Sequence, residues 1–383
     1  MHGVAGTLDE HALQTLLREL GEAAHAHRFR VAPNPSVGAA VLAGTRVIGR
    51  GFHEVYGEAH AEVRALEAAE ASGVPRDQWT ALVVTLEPCS SHGNTPPCTD
   101  AVLASGIRLV VVGGLDPDPR HRGRGVELLR ERGVEVLAIP NASPLELIAP
   151  HFLRWMSEER LRRPRPWTIA KWAQTLSGQL SPPEDVGEGR WISGPEALAE
   201  VQRMRARVDA VVTGVGTVVA DDPRLTVRPP GVTDRPALRV VLDGALRTPP
   251  GARIFQPPAA EGESAGPVHV LGMAGASGGR ARTLEAAGAH VHGLHGADRH
   301  RLELRDVQTW LWDHGARRVL LEAGPRLLAS YLDAGFVDQL MVVTSDVRGG
   351  RGPSLGDWLQ SHKLVERAYG ELGGDAVLEG FLI

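Results

Sequence analysis

Two α/β domains in tandem are what this sequence predicts, and three observations carry the prediction. At 383 residues the chain exceeds what one hydrophobic core ordinarily serves. Short β-branched, apolar runs alternate with helical segments in both halves, the pattern of sheets covered by helices. Between the halves the pattern breaks: a helical stretch from Leu145 to Arg160 leads into Arg162-Arg163-Pro164-Arg165-Pro166, a polar, proline-spaced connector. The expected boundaries are 1–146 for the first domain, 147–166 for the connector and 167–383 for the second domain. No internal repeat relates the halves.

Composition narrows the function classes. The chain is 43% hydrophobic and 23% charged, an ordinary globular balance. Its formal charge of −5, from 41 cations and 46 anions, argues against a broad nucleic-acid footprint, which needs clustered surplus Lys and Arg. No apolar run approaches the ~20 residues needed to span a bilayer. Nothing at the N-terminus resembles a secretory signal, so a cytoplasmic protein with reduced thiols is expected.

Taken in order, residues 8 to 28 place leucines at helical spacing behind Asp9, an amphipathic helix covering a sheet. The loop Ala32-Pro33-Asn34-Pro35-Ser36-Val37-Gly38 feeds a strand from Ala39 to Leu42, and its two prolines hold Asn34 rigidly. An ordinary turn asparagine is the alternative on local grounds. Gly44 turns the chain into a strand from Val47 to Gly51. Glu58 to Ala71 reads as a helix with His60 and Glu62 in its first turn. Ala81 to Leu86 is a buried strand that runs into the Cys89 loop, and Thr99 to Ser105 is a helix carrying Cys98 at its N-terminal end. A strand from Leu109 to Val112, a helix from Gly125 to Arg132 and a strand from Val134 to Ile139 complete the first half.

The chemistry of that half lies between His60 and Cys98. His60-Ala61-Glu62 is followed, after 24 residues, by Glu87-Pro88-Cys89 and then by Pro96-Pro97-Cys98. Both cysteines of the chain are here, each directly after a proline. One imidazole and two thiolates are donors that zinc accepts, and three protein ligands leave a position for water, as in a catalytic site. Glu62 is not needed as a ligand and is placed to shuttle protons. His-x-Glu with Pro-Cys and a second Cys is the zinc deaminase pattern, here with eight residues between the cysteines. Two blander accounts compete: a Cys89–Cys98 disulfide, disfavoured in a reducing compartment, and a structural zinc site completed by His92.

The second half offers strands at 168–173, 210–213, 238–242, 268–273, 319–322 and 339–344, with helices at 195–207, 304–314 and 325–334. Residues 229–235 and 256–266 read as loops, the second with the composition of a disordered segment. Gly214-x-Gly216 after a strand suggests a dinucleotide site, but Val219 stands where the third glycine of that pattern belongs. Leu320 to Pro325 is a strand ending at Gly-Pro before a helix, a phosphate-sized anion site or a plain strand–turn–helix.

These motifs together resemble the bifunctional deaminase–reductase family of riboflavin biosynthesis, RibD/RibG, over nearly the whole chain. The matching residues are Pro33-Asn34-Pro35-x-Val37-Gly38, His60-Ala61-Glu62, Thr85-Leu86-Glu87-Pro88-Cys89 and Gly93-x-Thr95-Pro96-Pro97-Cys98. In the second half they are Trp191-Ile192, the Gly216–Arg228 run and Glu322-Ala323-Gly324-Pro325. The resemblance implies a cytidine-deaminase-like α/β/α zinc domain followed by a dihydrofolate-reductase-like α/β domain that uses NADPH. It implies hydrolytic deamination of 2,5-diamino-6-(5-phosphoribosylamino)pyrimidin-4(3H)-one, then reduction of 5-amino-6-(5-phosphoribosylamino)uracil to the ribitylamino phosphate. His60, Cys89 and Cys98 would hold zinc, Glu62 would relay protons, and Asn34 would contact the deaminase substrate. Gln174, Trp191, Thr217, Asp221, Gly244 and the turn Gly324-Pro325-Arg326 would face NADPH. Gly189, Arg205, Leu225, Arg228 and Glu322 would face the reductase substrate, the arginines as forks for its phosphate. The expected partners are small phosphoribosyl pyrimidines and further copies of the chain in a dimer or tetramer, with neither nucleic acid nor membrane.

The chain departs from the family pattern in three places. Thr175-Leu176-Ser177-Gly178-Gln179 stands where Ser-Leu-Asp-Gly-Lys/Arg is usual, Gly189 replaces a hydroxyl residue, and Ala32 replaces a histidine. A nucleic-acid deaminase with an unrelated appendage, and an active deaminase with a weak or scaffold-only reductase half, are the competing expectations.

Overall fold

The computed structural model describes residues 9–93, 95–140, 145–181, 183, 192–229, 235–298, 301–361 and 364–382. The chain divides into two compact units, Met1–Arg162 and Arg163–Ile383.

In chain order the first unit contains α1 (Glu10–His25), α2 (Arg28–Val31), β1 (Gly38–Ala43), β2 (Arg46–Phe52), α3 (Ala61–Ala71), β3 (Ala81–Val84), α4 (Cys98–Ser105), β4 (Leu109–Val112), α5 (Arg124–Glu131), β5 (Glu135–Ala138), α6 (Leu145–Ile148), α7 (Pro150–Trp155) and α8 (Glu158–Arg162). The strands form one mixed sheet in the order β2-β1-β3-β4-β5, antiparallel from β2 to β3 and parallel from β3 to β5. Side chains alternate across its faces. Ala40 and Leu42 of β1 pack with Leu13, Leu17 and Leu20 of α1, whereas Ala39 and Val41 pack with Ala61, Ala65 and Ala69 of α3.

Two glycines of β2 decide how closely α3 lies on the sheet. A Cβ at Gly49 or Gly51 would collide with the backbone of α3 around Ala65, so only glycine permits this approach. The helix at whose head His60 and Glu62 stand is thereby seated on the sheet. It begins at Ala61 rather than Glu58, with His60 as its N-cap in extended backbone. The single helix expected from Leu145 to Arg160 is instead the three short helices α6, α7 and α8. Pro150 opens α7, where its missing N–H costs least, and prevents a continuous helix through that point.

The second unit contains β6 (Trp167–Gln174), β7 (Gln179–Ser181), α9 (Pro195–Arg205), β8 (Ala210–Gly214), α10 (Val215–Asp221), β9 (Leu238–Leu242), β10 (Val268–Met273), α11 (Gly278–Ala286), β11 (Ala289–Leu294), α12 (Leu304–Asp313), β12 (Arg318–Leu321), α13 (Pro325–Asp333), β13 (Gln339–Thr344), β14 (Arg351–Ser354), α14 (Gly356–Ser361), β15 (Leu364–Leu372) and β16 (Asp375–Leu382). Nine strands form a sheet in the order β11-β10-β9-β8-β12-β6-β13-β16-β15. It is parallel from β11 to β13 and closes with the antiparallel pair β16 and β15. β7 and β14 form a separate ribbon. The chain therefore has the two-domain α/β architecture that the sequence implied.

The loop reading of 256–266 holds, without the disorder that its composition suggested. The stretch 256–266 is a fixed loop: Ser264 bridges Val227 through backbone hydrogen bonds of 2.8 Å in both directions. The Arg239 guanidinium beneath it donates to the carbonyls of Gly266, Arg224 and Ile254. A buried arginine with its donors spent on backbone replaces the apolar core that the loop's composition lacks.

Candidate zinc site and reductase cleft

The three donors of the first unit converge without rearrangement. His60 Nδ1 lies 3.6 Å from Cys89 Sγ and 3.3 Å from Cys98 Sγ. All three donor atoms lie within 4.8 Å of one another. Bonds of the usual zinc–nitrogen and zinc–sulfur lengths at tetrahedral angles would place such atoms about 3.6 Å apart, so the donor set fits that ion. The backbone N–H of Cys98 donates to Cys89 Sγ at 3.3 Å, a contact that favours thiolate. Both cysteines are free thiols, which removes the disulfide. Among the described residues this is the one group of three such side chains whose donor atoms already stand close enough together to hold a metal ion, and His92 is not in it.

Local structure fixes each donor. Cys98 opens α4 and is buried, with Pro97 as the N-cap. The Cys89 loop is tied down by Glu87, whose Oε1 accepts from the backbone N–H groups of Asp116 at 2.8 Å and Gly123 at 2.7 Å. At the head of α5, a Cβ on Gly125 would run into the Pro88 carbonyl, so a glycine is required beside the ligand loop. Cys89 O accepts from Thr99 N–H, joining the loop to α4.

Electrostatics in this pocket follow from burial. Glu62, in the first turn of α3, is 3% exposed, and desolvation lifts its carboxyl to about 7. The contact with Cys98, opposed by burial, holds the Cys89 thiol down at about 4, while the same contact and burial push the Cys98 thiol up. Burial pulls the His60 imidazole down, and its contacts with Cys89 and Glu62 outweigh that and raise it.

Asn34 approaches the site through a residue that no motif flagged. His53, only 2% exposed, faces Ala59 O through Nδ1 and Asn34 Nδ2 through Nε2, both at 3.4 Å. The carbonyl fixes Nδ1 as the donor and Nε2 as the acceptor. Its ring stands edge-on to that of His60 at 5.0 Å between centroids. The Asn34 carbonyl accepts from Nε2 of the buried His151 at 2.8 Å, a contact between residues 117 apart in sequence. His53 carries no sequence signal beyond closing a strand, and His151 none at all.

In the second unit, β8 and β12 are neighbours; β8 leads directly into α10, and β12 reaches α13 through the turn 322–324. Thr217 Oγ1 in α10 accepts from the backbone N–H of Gly324, the N-cap of α13, at 3.0 Å. Pro325 and the exposed Arg326 open α13. Gly244, just beyond β9, lines a cavity of about 560 Å³ with Val215, Arg247, Arg301 and Leu327. Asp221 ends α10, and Asp222 and Leu225 beyond it adopt left-handed backbone with φ of 41° and 52°. For a buried leucine such a conformation costs about 1–3 kcal/mol, so this turn is held by its surroundings.

Arg205 and Glu322 meet. Nε and Nη2 of the arginine donate to the two carboxylate oxygens at 2.7 and 2.8 Å, and Nη1 donates to Thr226 O at 2.9 Å. The edge of Arg205 expected to fork a phosphate is therefore filled by Glu322 here, while Arg228 keeps an exposed side chain. Lys171 on β6 completes a charge cluster absent from the sequence-derived set. Burial pulls its pKa down, and Glu322 opposes that. For Glu322, burial would raise the carboxyl, but Arg205 and Lys171 outweigh burial and hold it below its ordinary value.

Other expected contacts are committed to the fold. Gln174 donates to Thr344 Oγ1 and accepts from Trp172 Nε1. Ser177 Oγ donates to Gly349 O at 3.0 Å, a bond that the carboxylate usual there could not make. Gly189 and Trp191 lie outside the described residues.

With this geometry in place, comparison with known proteins defines the class first. The zinc-binding region of cytidine and deoxycytidylate deaminases matches residues 11–114, and the RibD C-terminal domain matches residues 166–367. The riboflavin biosynthesis protein RibD of Aquifex aeolicus is 35% identical over 354 residues, covering 90% of this chain and 92% of that protein. RibD of Escherichia coli K12 is 34% identical over 339 residues, covering 84% and 86%. Among solved structures, RibD of Acinetobacter baumannii aligns with a TM-score of 0.66 at 28% identity, covering 98% of this chain and all of that one. A Thermotoga maritima diaminohydroxyphosphoribosylaminopyrimidine deaminase/5-amino-6-(5-phosphoribosylamino)uracil reductase gives 0.62 at 29% identity, covering 98% and 99%. The chain belongs to the RibD family and is a bifunctional deaminase–reductase of riboflavin biosynthesis. No helix among its described residues is long and apolar enough to cross a membrane.

Proposed function

We propose that the first reaction, water replacing an amino group of 2,5-diamino-6-(5-phosphoribosylamino)pyrimidin-4(3H)-one, takes place at His60, Cys89, Cys98 and Glu62. The second, reduction of 5-amino-6-(5-phosphoribosylamino)uracil by NADPH, takes place along the ends of β8 and β12. The deaminase domain is assigned to 1–146, the connector to 147–166 and the reductase domain to 167–383. The convergence of one imidazole, two thiols and a buried carboxyl carries the first assignment.

Zinc held by the three donors supplies Lewis acidity, which brings deprotonation of water within reach at neutral pH. Glu62 takes the proton from water as oxygen bonds to the ring carbon, and returns it to the departing nitrogen, which leaves as ammonia. A carboxyl with a pKa of about 7 can both accept and donate near neutrality. Asn34, held by His53 and His151, orients the ring through its amide.

In the second unit NADPH supplies the hydride. Thr217, Asp221 and the α13 N-terminus at Gly324 would bind its phosphates and ribose, and the cavity beside Gly244, with Arg247 and Arg301 in its lining, would take its adenosine end. Arg228 contacts the substrate phosphate. Glu322, held ionised by Arg205 and Lys171, accepts hydrogen bonds from ribose hydroxyls. Bound there, NADPH would supply hydride to C1 of the ribose as the C1–O bond breaks, and solvent would supply the proton to that oxygen, giving the ribityl chain. The protein is further assigned to the cytoplasm and to a homo-oligomer, as expected from the sequence and the family resemblance.

Product analysis by mass tests the proposal. Purified protein given the diamino substrate alone should exchange one amino nitrogen for oxygen, and with NADPH the product should gain a further pair of hydrogens. An unchanged substrate without NADPH would overturn the deaminase assignment.

A further inference from the structure

The edge of the large sheet holds a cluster of imidazoles that neither reaction uses. His269 on β10 and His290 on β11 are register partners, so both project from the same face, and His292 follows His290 by two positions on that face. His314 comes in from the end of α12. His269 Nδ1 and His292 Nε2 are 3.0 Å apart, and the ring of His292 lies 5.6 Å from that of His314. The Trp310 indole, 8% exposed, walls the cluster and stacks on His314 at 3.8 Å.

Two features suit these rings to a metal. A nitrogen–nitrogen contact of 3.0 Å requires at least one unprotonated nitrogen, so a lone pair is already present between β10 and β11. His314 Nδ1 donates to the Trp310 carbonyl at 2.7 Å, which leaves Nε2 as the unprotonated nitrogen.

We propose that His269, His292 and His314 form a second metal site, for a borderline divalent ion of the zinc, nickel or copper type that imidazoles favour. Two donors stand at ligand spacing. No three of these nitrogens are preassembled as at His60, Cys89 and Cys98, so the exposed His314 ring turns in to complete the set. Such an ion ties β11, the edge strand of the nine-stranded sheet, and the end of α12 to β10. None of the three histidines lines the cavity beside Gly244 that is assigned to NADPH, so the role of the site is to secure that edge.

Equilibrium dialysis of the intact protein against zinc, with the deaminase zinc in place, decides the matter. Wild type should bind a second equivalent, His292→Gln should retain only the first, and His314→Gln should weaken the second by about tenfold or more. Because His314 is exposed, its variant keeps the test readable if His292→Gln fails to fold. One equivalent in wild type, or an undiminished second equivalent in both variants, overturns the proposal.

Discussion

The two candidate active sites are built in opposite ways. In the first unit the three donors and the proton relay come from a stretch of 39 residues, His60 to Cys98, and the imidazole nitrogen stands 3.3 and 3.6 Å from the two sulfurs. In the second unit the groups come from β6, α9, α10 and the turn between β12 and α13, and are joined by one buried ion pair and one threonine–glycine hydrogen bond. The first site is a local motif inserted into a finished sheet. The second is made of the same contacts that hold its unit together. Substitutions should therefore remove chemistry and leave the fold in the first unit, but strike both at once in the second.

The largest expected effect is at Glu62. Glu62→Gln should keep the zinc and the fold, yet lose deamination by ~10²–10⁴-fold or more, as read from ammonia release. Near-normal turnover would place the proton relay elsewhere. Cys89→Ala sharpens the same contrast: losing the deaminase zinc should abolish ammonia release and leave NADPH oxidation with the deaminated intermediate unchanged. Loss of both activities in that variant would mean that the second site depends on the first.

Glu322→Gln tests the other side. It leaves Arg205, 8% exposed, facing a neutral amide, and breaking a buried pair of this kind costs about 3–5 kcal/mol. Urea unfolding followed by reductase activity should show that loss alongside weaker substrate binding. A change in substrate KM with unaltered stability would break the comparison and make Glu322 a purely functional group.

A smaller effect should come from His151 in acid. Burial holds its pKa at about 3, against 6.5 for the free side chain. Between those values the unfolded chain binds a proton that the folded chain refuses, so stability should fall as pH drops from 6.5 toward 3. Deaminase activity surviving acid exposure should therefore decline less steeply in His151→Gln than in wild type. Equal slopes would remove His151 as the cause. The smallest effect is expected at Ser177, where loss of the bond to Gly349 O in Ser177→Ala should cost about 1 kcal/mol. Ser177→Asp should be worse than alanine, because its carboxylate would face that carbonyl; thermal unfolding orders the two.

This asymmetry also explains what the sequence revealed. The zinc donors and Glu62 were legible because their chemistry is written in contiguous letters, and the buried strands because their apolar runs have no other use. The His53 and His151 contacts to Asn34 were not legible, since they depend on tertiary approach across 19 and 117 residues. Lys171 was hidden inside an apolar strand, and α10 behind Gly214 and Gly216, which suggested an incomplete dinucleotide pattern instead. The hairpin β15 and β16 escaped because its first strand carries Glu366, Arg367 and a Tyr369 that is 75% exposed, so neither face shows the alternation of a half-buried strand. Pairing of Arg205 with Glu322 could not be inferred from either residue alone: both look like substrate contacts until they are seen to satisfy each other.

The central claim is that each unit carries a complete site, so that chemistry can be removed from one without the other. Glu62→Gln protein supplied with the deaminated intermediate and NADPH tests it most directly, by absorbance at the nicotinamide band. Oxidation at the wild-type rate, from protein that releases no ammonia from the diamino substrate, is the predicted result. Absence of NADPH oxidation in that well-folded, zinc-loaded variant would contradict the claim.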